Sequence, residues 1–387
     1  MKRLVLLYRK LETSTKMQKM TNLKAFLKSE AVLLIAACAA ILSMFFVPPS
    51  SDYINYIDFR TLALLFCLMA AISGLRSVGL FDSLAKSILP HFKNARLLSL
   101  ILVLLCFFSS MFITNDVALI TFVPLTIIIF QASGLMDRLI YTIVLETAAA
   151  NMGSTFTPVG NPQNLYLYSC YNISPLKFFQ ITLPVTIIGL LLLITASFIC
   201  KNQTLHMTSP RECKISDIKQ LFYYILLFIL SLCSVFYVID FKILIIIVCV
   251  TIFIINKNIY KSIDYGLLFT FVCFFIFVGN AERIDAVHKL LITLIKGREL
   301  LSGVLLSQII SNVPAAILLS GFTDDYKALL LGTNIGGLGT LVASLASLIS
   351  FKLYLKTEQA KPLRYLGVFT LVNIIFLIPL LGYTMLL

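Results

Sequence analysis

Charge is what this sequence has least of. Asp, Glu, Lys and Arg supply 13% of its 387 residues, about half the share of an ordinary soluble domain. With a hydrophobic fraction of 59% and a mean hydropathy of +0.96, the chain is far from a soluble domain, and its solvent is lipid. Histidine is nearly absent, and His91, His206 and His288 fall in polar connections. Nine cysteines lie mostly inside apolar runs, with no Cys-x-x-Cys and no His at ligand spacing, which argues against a disulfide framework or a transition-metal site. His-Glu-x-x-His, Gly-x-Ser-x-Gly and metal-spaced Asp pairs are missing from the apolar runs, so no catalytic residues and no enzyme are expected. The net charge of +13 does not indicate a nucleic-acid partner, because Lys and Arg sit between apolar runs and form no basic groove with interleaved aromatics. Membrane topology accounts for them.

What is present is a succession of apolar runs, two of them broken by polar residues. Residues 1–30 form a basic leader, which fits a cytoplasmic segment better than a cleaved signal peptide. Residues 31–60 hold a first span and an outer loop. A first repeat occupies 61–200, with a hairpin tip near 114–116 and a broken helix over 139–170. Within it, residues 76–96 pattern as an amphipathic interface helix. A basic cytoplasmic loop follows over 201–220, linking spans over 221–264, and a second repeat over 265–387, with a hairpin tip near 311–314, a broken helix over 328–351 and a last span. Placing every strongly basic loop on one side makes the second repeat inverted, with about 11 spans, the N-terminus inside and the C-terminus outside. The expected fold is therefore an all-α polytopic membrane protein of two inverted repeats, each with a re-entrant hairpin and a broken transmembrane helix.

The breaks carry the functional reading. Asn151 to Leu165 aligns without gaps on Asn334 to Leu348, matching Asn, Gly, Thr, Val and Leu outright; chance gives roughly one match. Ser311-Asn312 repeats Thr114-Asn115. Paired interruptions in corresponding positions of two halves point to a secondary transporter with its site at the repeat interface. The candidate substrate- and ion-binding residues are Thr114, Asn115, Asp116, Asn151, Gly153, Ser154, Thr157, Gly160 and Asn161 in the first half. In the second they are Ser311, Asn312, Asn334, Gly336, Gly337, Thr340 and Ser344. Free N–H groups at helix starts suit anions, and free carbonyls at helix ends suit a hard cation such as Na⁺. Asp116 and Glu146, acidic residues deep in apolar surroundings, are candidates for proton coupling. A structural reading stands beside this: Asp116 suits a helix cap, and Asn151 can satisfy carbonyls of its own break.

Ser110-Met111-Phe112-Ile113-Thr114-Asn115-Asp116, with Pro124 downstream, resembles the Ser-Asn-Thr hairpin signature of the divalent anion:sodium symporters. Asn151 to Asn164 is similar to the Gly-rich break of those proteins, and Asn334 to Leu348 to its second copy. The wider ion transporter superfamily includes citrate transporters, arsenite permeases and sodium/proton antiporters. The resemblance covers about Thr61 to Leu386. It implies a mobile transport domain moving by elevator-type alternating access, and a scaffold domain forming a homodimer. It also implies one cation near Thr114, Asn115 and the Asn151 to Gly160 break, and a second near Ser311, Asn312 and the Asn334 to Ala343 break. Asp116, Val313-Pro314 and Asn161-Pro162-Gln163 depart from the symporter pattern and shift the reading toward citrate-transporter-like and arsenite-permease-like branches. The expectation is a plasma-membrane secondary transporter, in the inner membrane of a bacterial source. It moves a small anion such as citrate or a dicarboxylate, uses Na⁺ or H⁺ as coupling ion and has no cofactor. A sodium/proton antiporter or an oxyanion permease is the nearest rival.

Overall fold

The computed structural model of the chain describes residues 31–81, 83, 94–199 and 215–386. The leader, most of the expected interface helix over 76–96, and residues 200–214 of the basic loop lie outside that set. The described residues form two compact units.

One unit takes residues 31–57 together with Asp264–Ile284. It contains α1 (Ala31–Met44), the single turn α2 (Tyr53–Tyr56) and α11 (Tyr265–Arg283). Asn280 of α11 is buried and donates to Ser43 Oγ and to the Tyr53 hydroxyl, each at 2.9 Å. That bond pair fixes the rotation of α11 against α1, a task that apolar contacts alone perform loosely.

The other unit holds the remaining elements. They are α3 (Phe59–Ser77), α4 (Ala95–Ile113), α5 (Asn115–Ala132), α6 (Met136–Ser154), α7 (Pro162–Cys170), α8 (Pro175–Phe198), α9 (Ile218–Val235) and α10 (Phe241–Ile255), then α12 (Asp285–Ile295), α13 (Glu299–Ile310), α14 (Asn312–Ser320), α15 (Tyr326–Ile335), α16 (Leu345–Leu355) and α17 (Pro362–Met385). At the centre lies α6, packed against α4, α5, α8, α16 and α17. Its Leu139 to Ser154 stretch is buried almost without interruption, and Ala148, Ala149 and Ala150 let neighbouring backbones approach closely.

Among the described residues, seven helices are long and apolar enough to cross a membrane. Their outward faces are apolar as well. On α9, 28% of the most apolar stretch is buried, while Phe222, Ile225, Leu226 and Ile229 are exposed. Leu176, Leu183, Ile187 and Leu191 do the same on α8. Exposed apolar rows of this length suit hydrocarbon and not water. The chain is an all-helical, multi-pass membrane protein.

Two helical hairpins stand out. The first joins α4 to α5 through Thr114 alone; the second joins α13 to α14 through Ser311 alone. The second is built of 12 and 9 residues, about 18 and 14 Å at 1.5 Å per residue, well short of a hydrocarbon layer about 30 Å thick. Its arms do not cross.

The breaks are narrower than the sequence suggests. Asn151, Met152, Gly153 and Ser154 stay helical, so the first break covers residues 155–161; the second covers 336–344 between α15 and α16. Asn151 keeps its backbone in the ladder and spends its side chain on other segments.

Candidate transport site at two tips and two breaks

Both hairpins turn on a non-glycine residue with positive φ. Thr114 has φ 69° and ψ 151°; Ser311 has φ 77° and ψ 154°. Such a conformation costs about 1–3 kcal/mol and persists only where surroundings enforce it. Its effect is to aim the next backbone N–H out of the hairpin. Asn115 N donates to the Gly160 carbonyl at 3.2 Å, and Asn312 N donates to the Ala343 carbonyl at 3.0 Å. Gly160 and Ala343 occupy the same position in the aligned breaks.

The correspondence extends further. The Thr157 hydroxyl donates to the Met111 carbonyl, and the Thr340 hydroxyl donates to the Gln308 carbonyl at 3.1 Å. Gly153 lies against Phe107 and Ser110, and Gly336 lies against Ser307, leaving no room for a β-carbon at either. Each tip therefore docks on its own break through matched contacts.

Asn151 ties the two assemblies together. Its Oδ1 accepts from Asn115 Nδ2 at 3.1 Å and from the Ser344 hydroxyl at 3.0 Å, and its Nδ2 donates to the Gly337 carbonyl at 3.4 Å. A second bridge runs from Asn334 Nδ2 to Asn164 Oδ1 at 2.6 Å. Within the first break, Asn161 Nδ2 donates to Ser154 Oγ at 2.6 Å, and Ser154 Oγ donates to the Asn151 carbonyl at 2.9 Å. The predicted substrate- and ion-binding residues all lie at these two tips, in the breaks or in the last turn of the helices leading into them, with Thr340 the exposed one and Thr114 and Asp116 half-buried. Glu146 is not among them. It sits five residues before Asn151, about 7.5 Å along α6. It is fully buried, and its Oε1 accepts from the Thr126 hydroxyl at 2.5 Å.

The electrostatics of this region come from backbone. Among the tips and breaks there is one charged side chain, Asp116, and no Lys, Arg or His. Four helices begin here: α5, α14, α7 and α16, with Thr114, Ser311, Asn161 and Ser344 at their N-cap positions. These are the preferred capping types, yet none of the four side chains caps its helix. Elsewhere Asp58, Asn94, Asp217, Asp240, Asp264 and Asp325 each cap theirs. The network therefore gathers four helix starts that their N-cap side chains leave uncapped, each with about half a positive charge; at α5 and α14 the first N–H is taken by the Gly160 and Ala343 carbonyls, and Asp116 N by Asn115 Oδ1 at 2.9 Å. In addition, Asn161 Oδ1, Asn334 Oδ1 and both amide atoms of Gln163 are buried without a hydrogen-bond partner among the described residues. Buried polar atoms in that state are costly and call for a ligand, water or ion. Carbonyl and amide oxygens are donors that suit Na⁺, and helix starts suit an anion.

Gln308 and Gln163 are absent from the sequence-derived set. Gln308 braces the second break: its Nε2 donates to the Gly336 and Leu338 carbonyls at 2.8 and 3.0 Å, and its Oε1 accepts from Thr340 N at 2.8 Å. Met111 holds the matching place in the first hairpin and offers no such bond. There Asn164 substitutes, donating to the Thr155 carbonyl at 3.3 Å, the counterpart of Leu338. The signal available in sequence was a single Gln inside the apolar run from Leu300 to Ile310.

A sequence profile described as citrate transporter matches residues 17–324, four-fifths of the chain, ending just beyond the second hairpin. The chain belongs to the citrate transporter family. An uncharacterized transporter of Methanocaldococcus jannaschii is 32% identical over 333 residues, covering 86% of this chain and 91% of the relative. The inner membrane protein YbiR of Escherichia coli is 31% identical over 321 residues, 80% of this chain and 84% of that protein. A silicon efflux transporter of Oryza sativa subsp. japonica is 28% identical over 152 residues, 39% of this chain and 31% of its own length. The family is one of transporters, and this chain is a membrane transporter of the citrate and arsenite permease superfamily.

Proposed function

We propose that the protein is a secondary active transporter of a small anion, a carboxylate such as citrate or a dicarboxylate, coupled to Na⁺ or H⁺. The observation that carries this reading is the meeting of four helix starts, none capped by its N-cap side chain, in a largely buried network without a cationic side chain. An anion there is held by N–H dipoles, and a co-bound Na⁺ or a proton on Asp116 or Glu146 offsets its charge. The matched tips and breaks support two repeats of inverted topology, about 11 spans, and cation sites at Thr114, Asn115 and the first break and at Ser311, Asn312 and the second. Elevator-type movement, a homodimeric scaffold and a plasma-membrane location follow from the family resemblance.

One observation favours a second reading. Asp116 puts a carboxylate at the first tip, which disfavours a multivalent anion, and one relative is named for silicon efflux. An arsenite-like or other weak-acid oxyanion, or Na⁺ exchanging for protons, fits that tip. Uptake of labelled citrate, succinate and arsenite into proteoliposomes, with Na⁺ and pH gradients imposed separately, tests both. Carboxylate uptake that follows one cation gradient supports the first reading. Arsenite flux alone, or Na⁺-driven proton release with no anion dependence, replaces it with the second.

A further inference from the structure

Away from the tips and breaks, a cavity of about 310 Å³ opens between α8, α15 and α17. Lys177, Ile181 and Pro184 line one face of α8, at the three- and four-residue spacing that stacks side chains along a helix. Tyr326 and Lys327 come from the first turn of α15, and Tyr383 from the last turn of α17. No Asp or Glu is among the described lining residues; of the two nearby carboxylates, Asp325 caps α15, accepting from Ala328 N at 3.0 Å, and Asp324 is exposed outside the lining. Tyr326 is held in place by Tyr171, ring centroids 5.8 Å apart, whose own hydroxyl donates to the Ser320 and Thr323 carbonyls.

The polarity of the cavity is graded along the membrane-crossing direction. Lys177 is the third residue of α8 and Pro184 the tenth, so the apolar floor lies about 10 Å deeper than the ammonium at the rim. Tyr383 is two residues from the end of α17. Tyrosines at this level and lysines reaching toward headgroups are interfacial features, and basic pockets between spanning helices take lipid headgroups.

We propose that this cavity binds an anionic glycerophospholipid. Its phosphate sits between the Lys177 and Lys327 ammonium groups, within reach of the Tyr326 and Tyr383 hydroxyls, and an acyl chain runs over Ile181 and Pro184. The bound lipid bridges two full-length spans to α15, the half-helix that ends at the second break.

The test is native mass spectrometry of the full-length protein, extracted from vesicles of equal phosphatidylglycerol and phosphatidylcholine. The wild type is expected to retain phosphatidylglycerol preferentially, and Lys177→Gln/Lys327→Gln to lose that preference by about thirtyfold, the effect of two near-surface cations. Ile181→Trp, which keeps both charges and fills the floor, is expected to lose the lipid too, so the proposal stays testable should the double variant fail to fold. An unchanged preference in either variant overturns it. Displacement by excess inorganic phosphate also overturns it, in favour of a soluble-anion site.

Discussion

The Ser344 hydroxyl donates to Asn151 Oδ1 at 3.0 Å, joining the second break to the last turn of α6 across 193 residues. The same oxygen accepts from Asn115 at the first tip, so one amide holds the first tip and the second break. Asn151→Ala strands two buried donors, at about 1–3 kcal/mol each. The expected result is a lower melting temperature in detergent and loss of flux in liposomes. An unchanged melting curve would show that the network is not what holds the breaks together.

The two glycines at the tip contacts are predicted to differ. A β-carbon on Gly153 runs into the Phe107 carbonyl, which is backbone, whereas on Gly336 it meets the Ser307 side chain at 2.7 Å as well as the Gly332 carbonyl. Overpacking of this kind costs about 1–3 kcal/mol. Gly153→Ala should be the more damaging, and Ser307→Gly, which removes both side-chain atoms that obstruct residue 336, should partly rescue Gly336→Ala while Ser110→Gly leaves Gly153→Ala unrescued. Thermal unfolding of the four proteins decides this.

The exchange of bracing residues between halves gives a sharper test. Gln308→Met makes the second hairpin resemble the first, stranding the Gly336 and Leu338 carbonyls and Thr340 N. A loss on the order of 3 kcal/mol is expected. Ser347 corresponds to Asn164, and Ser347→Asn supplies the amide that Asn164 supplies to Thr155. The double variant Gln308→Met/Ser347→Asn should therefore be more stable than Gln308→Met alone. Additive damage would mean that the two breaks are not equivalent in build.

Glu146 offers a separable test of coupling. Glu146→Gln preserves an acceptor for Thr126 and the side-chain volume, so the protein should remain folded. With a proton as coupling ion carried at Glu146, flux stops responding to an imposed pH gradient. A full pH response in this variant removes Glu146 as the carrier and leaves Asp116, for which Asp116→Asn is the matching test.

What could be read from the sequence divides along physical lines. The tips at Thr114 and Ser311 and the presence of two breaks were legible because polar residues inside an apolar run have few permitted explanations, but the breaks read as starting at Asn151 and Asn334, whereas the helices run on to Ser154 and Ile335. Glycines and small polar residues at matched positions then gave the pairing. The start of α8 is masked by Lys177 and Gln180, which delay the apolar run, although the helix begins at Pro175, where proline at the first helical position is itself a signal. Gln308 was hidden because its partners are backbone atoms 28 and 30 residues away, and its counterpart Met111 erases it from the repeat. Gln163 was passed over for a related reason, since it aligns with Ala346.

The central claim is that both tips serve one transport cycle. Its most direct measurement compares wild type, Asn115→Ala and Asn312→Ala in liposomes, with the same anion and the same imposed gradients. Asn115 and Asn312 follow the two strained tip residues; their main-chain bonds to Gly160 and Ala343 survive the substitution, so each change removes only the side-chain amide. The account predicts that each substitution alone takes uptake to the level of empty liposomes while the proteins remain folded. Wild-type uptake by either variant would contradict it, leaving one tip as the site and the other as scaffold.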